Sequence, residues 1–253
     1  MTLFTGVGVA LVTAFDEHLR HDGPATADLA VRLVDDGVRA VVVAGSTGEA
    51  DTLEEAERVA LVAAVRGAVP VGVPVLAGTG GAWAGQAVAR TRAALDAGAD
   101  GVLVLSPRRV EDARPYFEAV ATAAAGRPVL AYHFPAVSAP GIPVRTLPTL
   151  PVDGVKDSTG DAERLLETLA AFSGRVYTGS SALLSTAGPL GADGAILAAA
   201  NVEPILSARA FAGDVEAQRR LLGVHLDTRA GGPAAVKRLA AERYGTPPYA
   251  RLA

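Results

Sequence analysis

The 253-residue sequence contains no cysteine, which excludes disulfides, thiolate metal sites and a cysteine nucleophile together. It also lacks any apolar run near the roughly 18 residues that suggest a membrane span. The apolar stretch from Leu3 to Phe15 has no basic leader and runs straight into Asp16 and Glu17, so it reads as a buried strand and not a targeting segment. The cytoplasm is the expected compartment. Basic residues are too few and too scattered for a cationic face: 23 Lys and Arg stand against 27 Asp and Glu, a formal net charge of −4. Neither nucleic acid nor an anionic membrane is expected as a partner, and a small molecule is.

Lysine is scarcer still. Lys156 and Lys237 are the only two, so 23 − 2 = 21 of the basic residues are arginine. Arginine carries charge but does not give up its proton near neutral pH. A lysine retained at the end of an apolar strand therefore points to a task that needs a neutral amine. Of the four histidines, His18, His21, His133 and His225, none shares metal-ligand spacing with carboxylates, and no catalytic metal is expected.

Half of the residues are apolar, about a fifth are charged, and 28 glycines and 16 prolines punctuate the chain, a globular composition. Short β-branched apolar runs alternate with alanine- and leucine-rich stretches of helical period. The spacing predicts strands at Val7–Thr13, Ala40–Ala44, Val73–Ala77, Gly101–Leu105, Val129–Tyr132, Gly154–Lys156, Arg175–Thr178 and Gly194–Leu197. They lack polar alternation, as strands covered on both faces do. Helices are predicted near Thr26–Asp36, Leu53–Arg66, Ala82–Ala97, Glu111–Ala125, Ala162–Phe172 and Ala182–Leu190, with a short fifth connection at Val144–Leu150. Eight βα units predict an α/β fold, a (β/α)8 TIM barrel over residues 1–201, although a doubly wound sheet shares the periodicity. Residues 202–253 predict a short C-terminal helical appendage, with helices at Val202–Gly213, Val215–His225 and Pro233–Tyr244.

In a parallel barrel the chemistry gathers at the C-terminal ends of the strands. Polar residues stand at four of those ends: Gly45-Ser46-Thr47-Gly48-Glu49, Tyr132-His133, Lys156-Asp157 and Gly179-Ser180-Ser181. An amine with an ordinary pKa near 10.4 needs an apolar wall to act as a nucleophile at neutral pH, and the barrel interior offers one to Lys156. Tyr132, one strand away, is the candidate proton carrier, and Ser46 and Thr47 supply hydroxyls and turn N–H groups for a carboxylate. Gly45 and Gly179 are expected to line the substrate. Each feature has a plainer reading: a helix-capping turn, a core tyrosine, and a lysine salt-bridged to Asp157. Gly78-Thr79-Gly80-Gly81 and Gly179-Ser180-Ser181 match neither a P-loop nor a dinucleotide fingerprint and read as tight turns.

These residues resemble the dihydrodipicolinate synthase and N-acetylneuraminate lyase family of pyruvate-dependent class I aldolases. The likeness runs from Ala10-Leu11-Val12-Thr13-Ala14-Phe15 through Gly45-Ser46-Thr47-Gly48-Glu49, close to the family's Gly-Thr-Thr-Gly-Glu. Tyr132-His133-Phe134-Pro135 resembles its Tyr-Asn-x-Pro, and Val155-Lys156-Asp157-Ser158-Thr159-Gly160-Asp161 its Schiff-base segment. Gly191-Ala192-Asp193-Gly194-Ala195-Ile196 and Ala200-Asn201-Val202 resemble its eighth strand. The resemblance implies Lys156 as imine former, Tyr132 as proton donor and acceptor, and Ser46 as relay hydroxyl. It implies Thr47 as carboxylate ligand and Ile196 as a backbone contact to the oxo acid. It implies no cofactor, pyruvate as the small-molecule partner, and a homo-oligomer, dimer or tetramer.

The chain departs from the family in two places. Ser106-Pro107-Arg108-Arg109 stands where Ser-Pro-Tyr-Tyr is usual, and Val137 where the synthases carry a carboxylate-binding arginine. Pro135-Ala136-Val137-Ser138 looks closer to the lyases and the 2-keto-3-deoxy sugar acid aldolases. The leading expectation is retro-aldol cleavage of a hydroxylated 2-oxo acid. The alternatives are 4-hydroxy-tetrahydrodipicolinate synthesis, an imine-dependent hydratase or decarboxylase, and a non-catalytic ligand-binding barrel.

Overall fold

A computed structural model describes residues 3–252; Met1, Thr2 and Ala253, at the outer ends of the two expected segments, lie outside the described residues. Eight parallel strands close into a barrel in chain order, β1 (Gly6–Ala10), β2 (Val41–Val43), β3 (Val75–Gly78), β4 (Gly101–Leu105), β5 (Val129–His133), β6 (Gly154–Asp157), β7 (Arg175–Thr178) and β8 (Gly194–Leu197). The (β/α)8 reading of the sequence is therefore correct, and the doubly wound alternative is excluded. Around the barrel run α1 (Gly23–Asp35), α2 (Glu55–Ala68), α3 (Ala84–Asp96), α4 (Arg114–Ala124), α5 (Ala162–Ala171) and α6 (Leu184–Ala187). The fifth connection is a run of 3-10 turns over Val144–Thr149. Beyond β8 come α7 (Pro204–Phe211), α8 (Val215–Arg220) and α9 (Leu222–Tyr244).

Strand alternation sorts the apolar residues into an inside and an outside. Ala10, Val42, Leu76, Leu103, Leu130, Tyr132, Tyr177 and Ile196 pack together with Leu3 and Phe4 as the barrel interior. Gly8 leaves room that Phe4 fills, since a side-chain carbon at Gly8 would meet the Phe4 ring at 2.9 Å. The Phe4 ring lies 4.7 Å from that of Tyr177, whose hydroxyl donates to the Phe4 carbonyl at 2.8 Å. The intervening residues, such as Val9, Val41, Val43, Val104 and Val155, face the helices in two outer clusters.

The N-terminal end of the barrel is tied by a recurrent device. An Asp-Gly pair precedes or opens β4, β6 and β8, and each aspartate clamps the strand before it from two sides. Asp100, Asp153 and Asp193 donate their N–H groups to Val75, Val129 and Val176, at 2.8, 2.9 and 2.9 Å. Their carboxylates accept from the N–H groups of those same residues at 2.9, 2.8 and 2.8 Å. Arg66 and Arg175 add ion pairs to Asp100 and Asp193.

Most boundaries lie within three residues of the sequence expectation, and the larger differences have physical causes. The first strand ends at Ala10 and not Thr13, because the Val12 N–H is taken at 3.0 Å by the Asn201 side chain. The sixth helix is one turn, Leu184–Ala187, and not Ala182–Leu190. The expected helix Val215–His225 divides into α8, which ends at Arg220, and the start of α9, and α9 itself is broken by non-helical backbone at Gly232, where φ is 55°, just before Pro233 opens the last expected helix. The segments beyond Asn201 pack on the barrel, α7 against β1 and α6, and α9 against the turn after β2.

Asn201 is fully buried and closes the seam between β1 and β8. Its amide donates to Ala10 at 2.7 Å and Ala198 at 2.9 Å while its carbonyl accepts from Val12. Asn201→Ala leaves the Val12 N–H and the Ala10 carbonyl buried without partners and is expected to cost about 2 to 4 kcal/mol. A urea titration followed by circular dichroism measures this, and an unchanged midpoint would show that the seam does not need the side chain.

Candidate active site

Lys156 is the third residue of β6, and its neighbours in register are Tyr132 on β5 and Tyr177 on β7. Val155 belongs to an outer cluster, so Lys156 points into the barrel among residues that face the interior. Its amine lies 4.4 Å from the centroid of the Tyr132 ring, and the residue is 5% exposed. Asp157 does not pair with it. The Asp157 carboxylate turns outward to the Arg164 side chain and to Thr159. Burial, with no compensating carboxylate, pushes the Lys156 ammonium down from the usual lysine range to about 7. A substantial fraction of Lys156 is thus a free amine at neutral pH.

Tyr132 is buried beside it, and burial raises its pKa, with the hydroxyls of Ser158 and then Ser46 pulling the other way as hydrogen-bonding neighbours. Its ring stacks on Phe134 at 5.9 Å. Gly179 abuts the lysine stem: a side-chain carbon there would meet Lys156 Cε at 3.0 Å and Ser158 Oγ at 2.0 Å. The space that Gly179 leaves is filled first by Ser158 and then by the Lys156 stem.

The turn Ser46–Gly48 is held by strained backbone on both sides. Ala44 and Glu49 adopt left-handed conformations with φ of 51° and 55°, each costing about 1 to 3 kcal/mol. Gly78 makes the first possible, because a side-chain carbon there would stand 2.1 Å from the Ala44 carbonyl oxygen. Thr13 braces the turn by donating its hydroxyl to the Gly48 carbonyl at 2.8 Å. The Gly45 carbonyl accepts from Gly48 and Ala50. Among the described residues the N–H groups of Ser46 and Thr47 have no protein acceptor, so both are open to solvent or to a ligand.

Lys156, Tyr132, Ser46 and Gly179 are therefore brought together. Gly45 and Thr47 share the turn with Ser46, and Ile196 is fully buried in the same interior cluster as Tyr132. Among the described residues no hydrogen bond joins the Thr47 side chain or Ile196 to Lys156. Sequence reasoning missed Ser158, whose approach to Tyr132 depends on the β5–β6 register, and Arg164, which draws Asp157 away from the lysine. His133, next to Tyr132, is structural. Its Nδ1 accepts from the Ile142 N–H at 2.8 Å, and burial, then the Arg164 charge, lower its pKa to about 4. Arg108 and Arg109 stitch their loop to the one after β5, Arg108 Nε donating to Val137 O at 2.9 Å and Arg109 N to Ala139 O at 2.8 Å. A cavity of about 590 Å³ between α2 and α3, walled by Val59, Val62, Trp83 and Ala89, contains none of the predicted site residues.

The sequence pattern of the dihydrodipicolinate synthetase family matches residues 3–220. A 4-hydroxy-tetrahydrodipicolinate synthase of a Synechococcus strain is 36% identical over 211 residues, covering 79% of this chain and 70% of that protein. A protein of the same name from Acidithiobacillus ferrooxidans is 34% identical over 243 residues, covering 89% and 83%. Among solved structures, the prophage protein YagE of E. coli K12, of the dihydrodipicolinic acid synthase family and in complex with pyruvate, superimposes with a TM-score of 0.91. That match has 27% identity and covers 98% of this chain and 92% of the other.

The depressed amine gives a test that needs no substrate. Reductive methylation with formaldehyde and cyanoborohydride, read by mass spectrometry of the Lys156 peptide, should rise through a midpoint near pH 7 and level above it. A midpoint near pH 10 would mean that the ammonium is solvated.

Proposed function

This chain belongs to the dihydrodipicolinate synthetase family, whose members are class I lyases, and from that premise we propose that Lys156 forms an imine with a 2-oxo acid. The reaction is reversible aldol cleavage, with pyruvate as product in one direction and donor in the other. What supports this reading most directly is the buried Lys156 amine, held near pKa 7 without a carboxylate and lying against Tyr132. An amine so placed is a nucleophile. An ammonium paired to Asp157 would not be.

In this mechanism the Lys156 nitrogen attacks C2 of the 2-oxo acid while the carbonyl oxygen takes the proton of the Tyr132 hydroxyl, giving a carbinolamine. Loss of water leaves a protonated imine. Its positive charge favours the tyrosinate at Tyr132, which then accepts the proton of the C4 hydroxyl as the C3–C4 bond breaks and the aldehyde leaves. The electron pair passes into the enamine. Protonation at C3 and hydrolysis return the amine and release pyruvate. Ser46 relays the proton at Tyr132, with Ser158 as a second hydroxyl neighbour. Thr47 and the unpartnered N–H groups of its turn hold the substrate carboxylate, Ile196 contributes its backbone, and Gly45 and Gly179 line the space. A homo-oligomeric state, dimer or tetramer, and a cytoplasmic location are carried by the family likeness.

A second reading, 4-hydroxy-tetrahydrodipicolinate synthesis, is favoured by the names of the curated relatives. Val137, 36% exposed on the loop after β5, offers no charge to an aldehyde's carboxylate, which favours cleavage of a hydroxylated chain. Product analysis separates them: only cleavage yields pyruvate and an aldehyde from one substrate.

Treatment with pyruvate and borohydride is expected to leave a reduced adduct on Lys156. Lys156→Arg should abolish both labelling and turnover, since arginine keeps the charge but not the labile proton. Tyr132→Phe should still label while turnover falls about 10²- to 10⁴-fold. Folded protein that resists labelling at saturating pyruvate would falsify the imine mechanism.

A further inference from the structure

The second lysine is also buried, and it reaches the same site from behind. Lys237 on α9 is 1% exposed and forms an ion pair with the Glu49 carboxylate, which is itself 1% exposed. Glu49 directly follows Gly48 and ends the turn that carries Ser46 and Thr47. Its second carboxylate oxygen accepts from the Leu252 N–H at 2.6 Å. Lys237 Nζ donates onward to the Tyr249 carbonyl at 3.0 Å and lies 4.0 Å from the centroid of the Phe15 ring. The guanidinium of Arg251 sits 4.2 Å from the same centroid. It donates to both oxygens of Glu57 at 2.7 and 2.6 Å, to the Thr52 carbonyl at 2.9 Å and to the Leu19 carbonyl at 2.9 Å.

Residues 249–252 thus form a strap across the loop between β2 and α2, fastened at Glu49, Thr52 and Glu57 on one side and at Lys237 on the other. The fastening falls where the backbone is strained. Glu49 holds φ of 55°, a strained conformation that persists only where the surroundings over-determine it. The carboxylate receives donors on both oxygens, so its anchoring is complete without any contact to the lysine and tyrosine of the site.

We propose that Glu49 and Lys237, with the strap 249–252, are positioning residues for the proposed reaction: they fix the Ser46–Thr47 turn so that its N–H groups and hydroxyls face the bound carboxylate and Tyr132. This rests on the reading of Ser46 and Thr47 as substrate-binding groups. Neither residue touches the reacting atoms. Their loss acts through the turn, lowering affinity for the 2-oxo acid and slowing proton relay while leaving the Lys156 amine reactive.

Two readouts test this on the full chain. Hydrogen exchange of the peptide spanning residues 44–52, measured by mass spectrometry, reads the turn without any substrate. Glu49→Gln and Lys237→Met should each raise exchange there at least tenfold while the β5 and β6 peptides keep their protection. With pyruvate, the concentration for half-maximal borohydride labelling should rise about tenfold or more, with the labelling at saturation unchanged. The double variant Glu49→Leu, Lys237→Met, which replaces the pair by apolar side chains, should recover thermal stability and not pyruvate affinity. If the single variants lower the melting temperature with exchange at 44–52 and the half-saturating pyruvate concentration unchanged, the pair is structural only and the proposal fails. Wild-type protein that does not label at all overturns the imine reading, whereas the exchange result still decides whether the pair holds the turn.

Discussion

The proposed chemistry depends on one primary amine placed where water is scarce and no carboxylate pairs with it. Taking an ammonium out of water is costly unless a partner repays the loss, and without one the group sheds its proton. Lys156 meets both conditions, because β6 aims it into the barrel while Arg164 draws the adjacent Asp157 outward. Had Asp157 faced the lysine, the pair would have kept the ammonium charged. The alternation of a strand, two residues per repeat, is what keeps these neighbours in sequence apart in space.

The barrel separates stability from chemistry along its axis. At the N-terminal end Asp100, Asp153 and Asp193 clamp successive strands with paired hydrogen bonds, and Phe4 and Tyr177 fill the interior. At the other end stand the left-handed residues Ala44, Glu49 and Arg109, the loops they shape, and the polar groups around Lys156. Strain of this kind persists only where the surroundings over-determine it. Here Gly78, Thr13 and the Lys237 pair do so around one turn, and that turn carries Ser46 and Thr47.

Much of this was legible in the sequence because it is local. The limits of β4, β7 and β8 coincide with apolar runs, two of which open on Asp-Gly, and the eightfold alternation predicts closure. The order of the candidate strand ends places Lys156 beside Tyr132 once β5 and β6 are adjacent. What was not legible depends on partners far along the chain. Asn201 shortens the first strand across a separation of 189 residues, and Lys237 reaches Glu49 across 188. Ser158 looked like one more polar residue after a strand, since its approach to Tyr132 needs the β5–β6 register and not the sequence order. The one-turn α6 was overestimated because Ala182–Leu190 is apolar enough for a helix, yet Pro189 and Gly191 end it early.

The two lysines show why a chain that otherwise uses arginine keeps them. Both are almost wholly buried, and burial lowers the pKa of each, but their surroundings differ in one respect. Each amine lies over an aromatic ring, but Lys237 also meets Glu49 and the Tyr249 carbonyl, which favour its charged form, whereas Lys156 has no carboxylate partner among the described residues. The same side chain is therefore held charged in one place and pushed toward the free amine in the other. Arginine fits neither as well. Its planar fork needs more acceptors than Glu49 and one carbonyl supply in a fully closed space, and it stays charged at the position of Lys156. Where charge is solvated or paired at the surface this chain uses arginine, and both of its lysines stand at buried positions where a compact amine fits and a guanidinium does not.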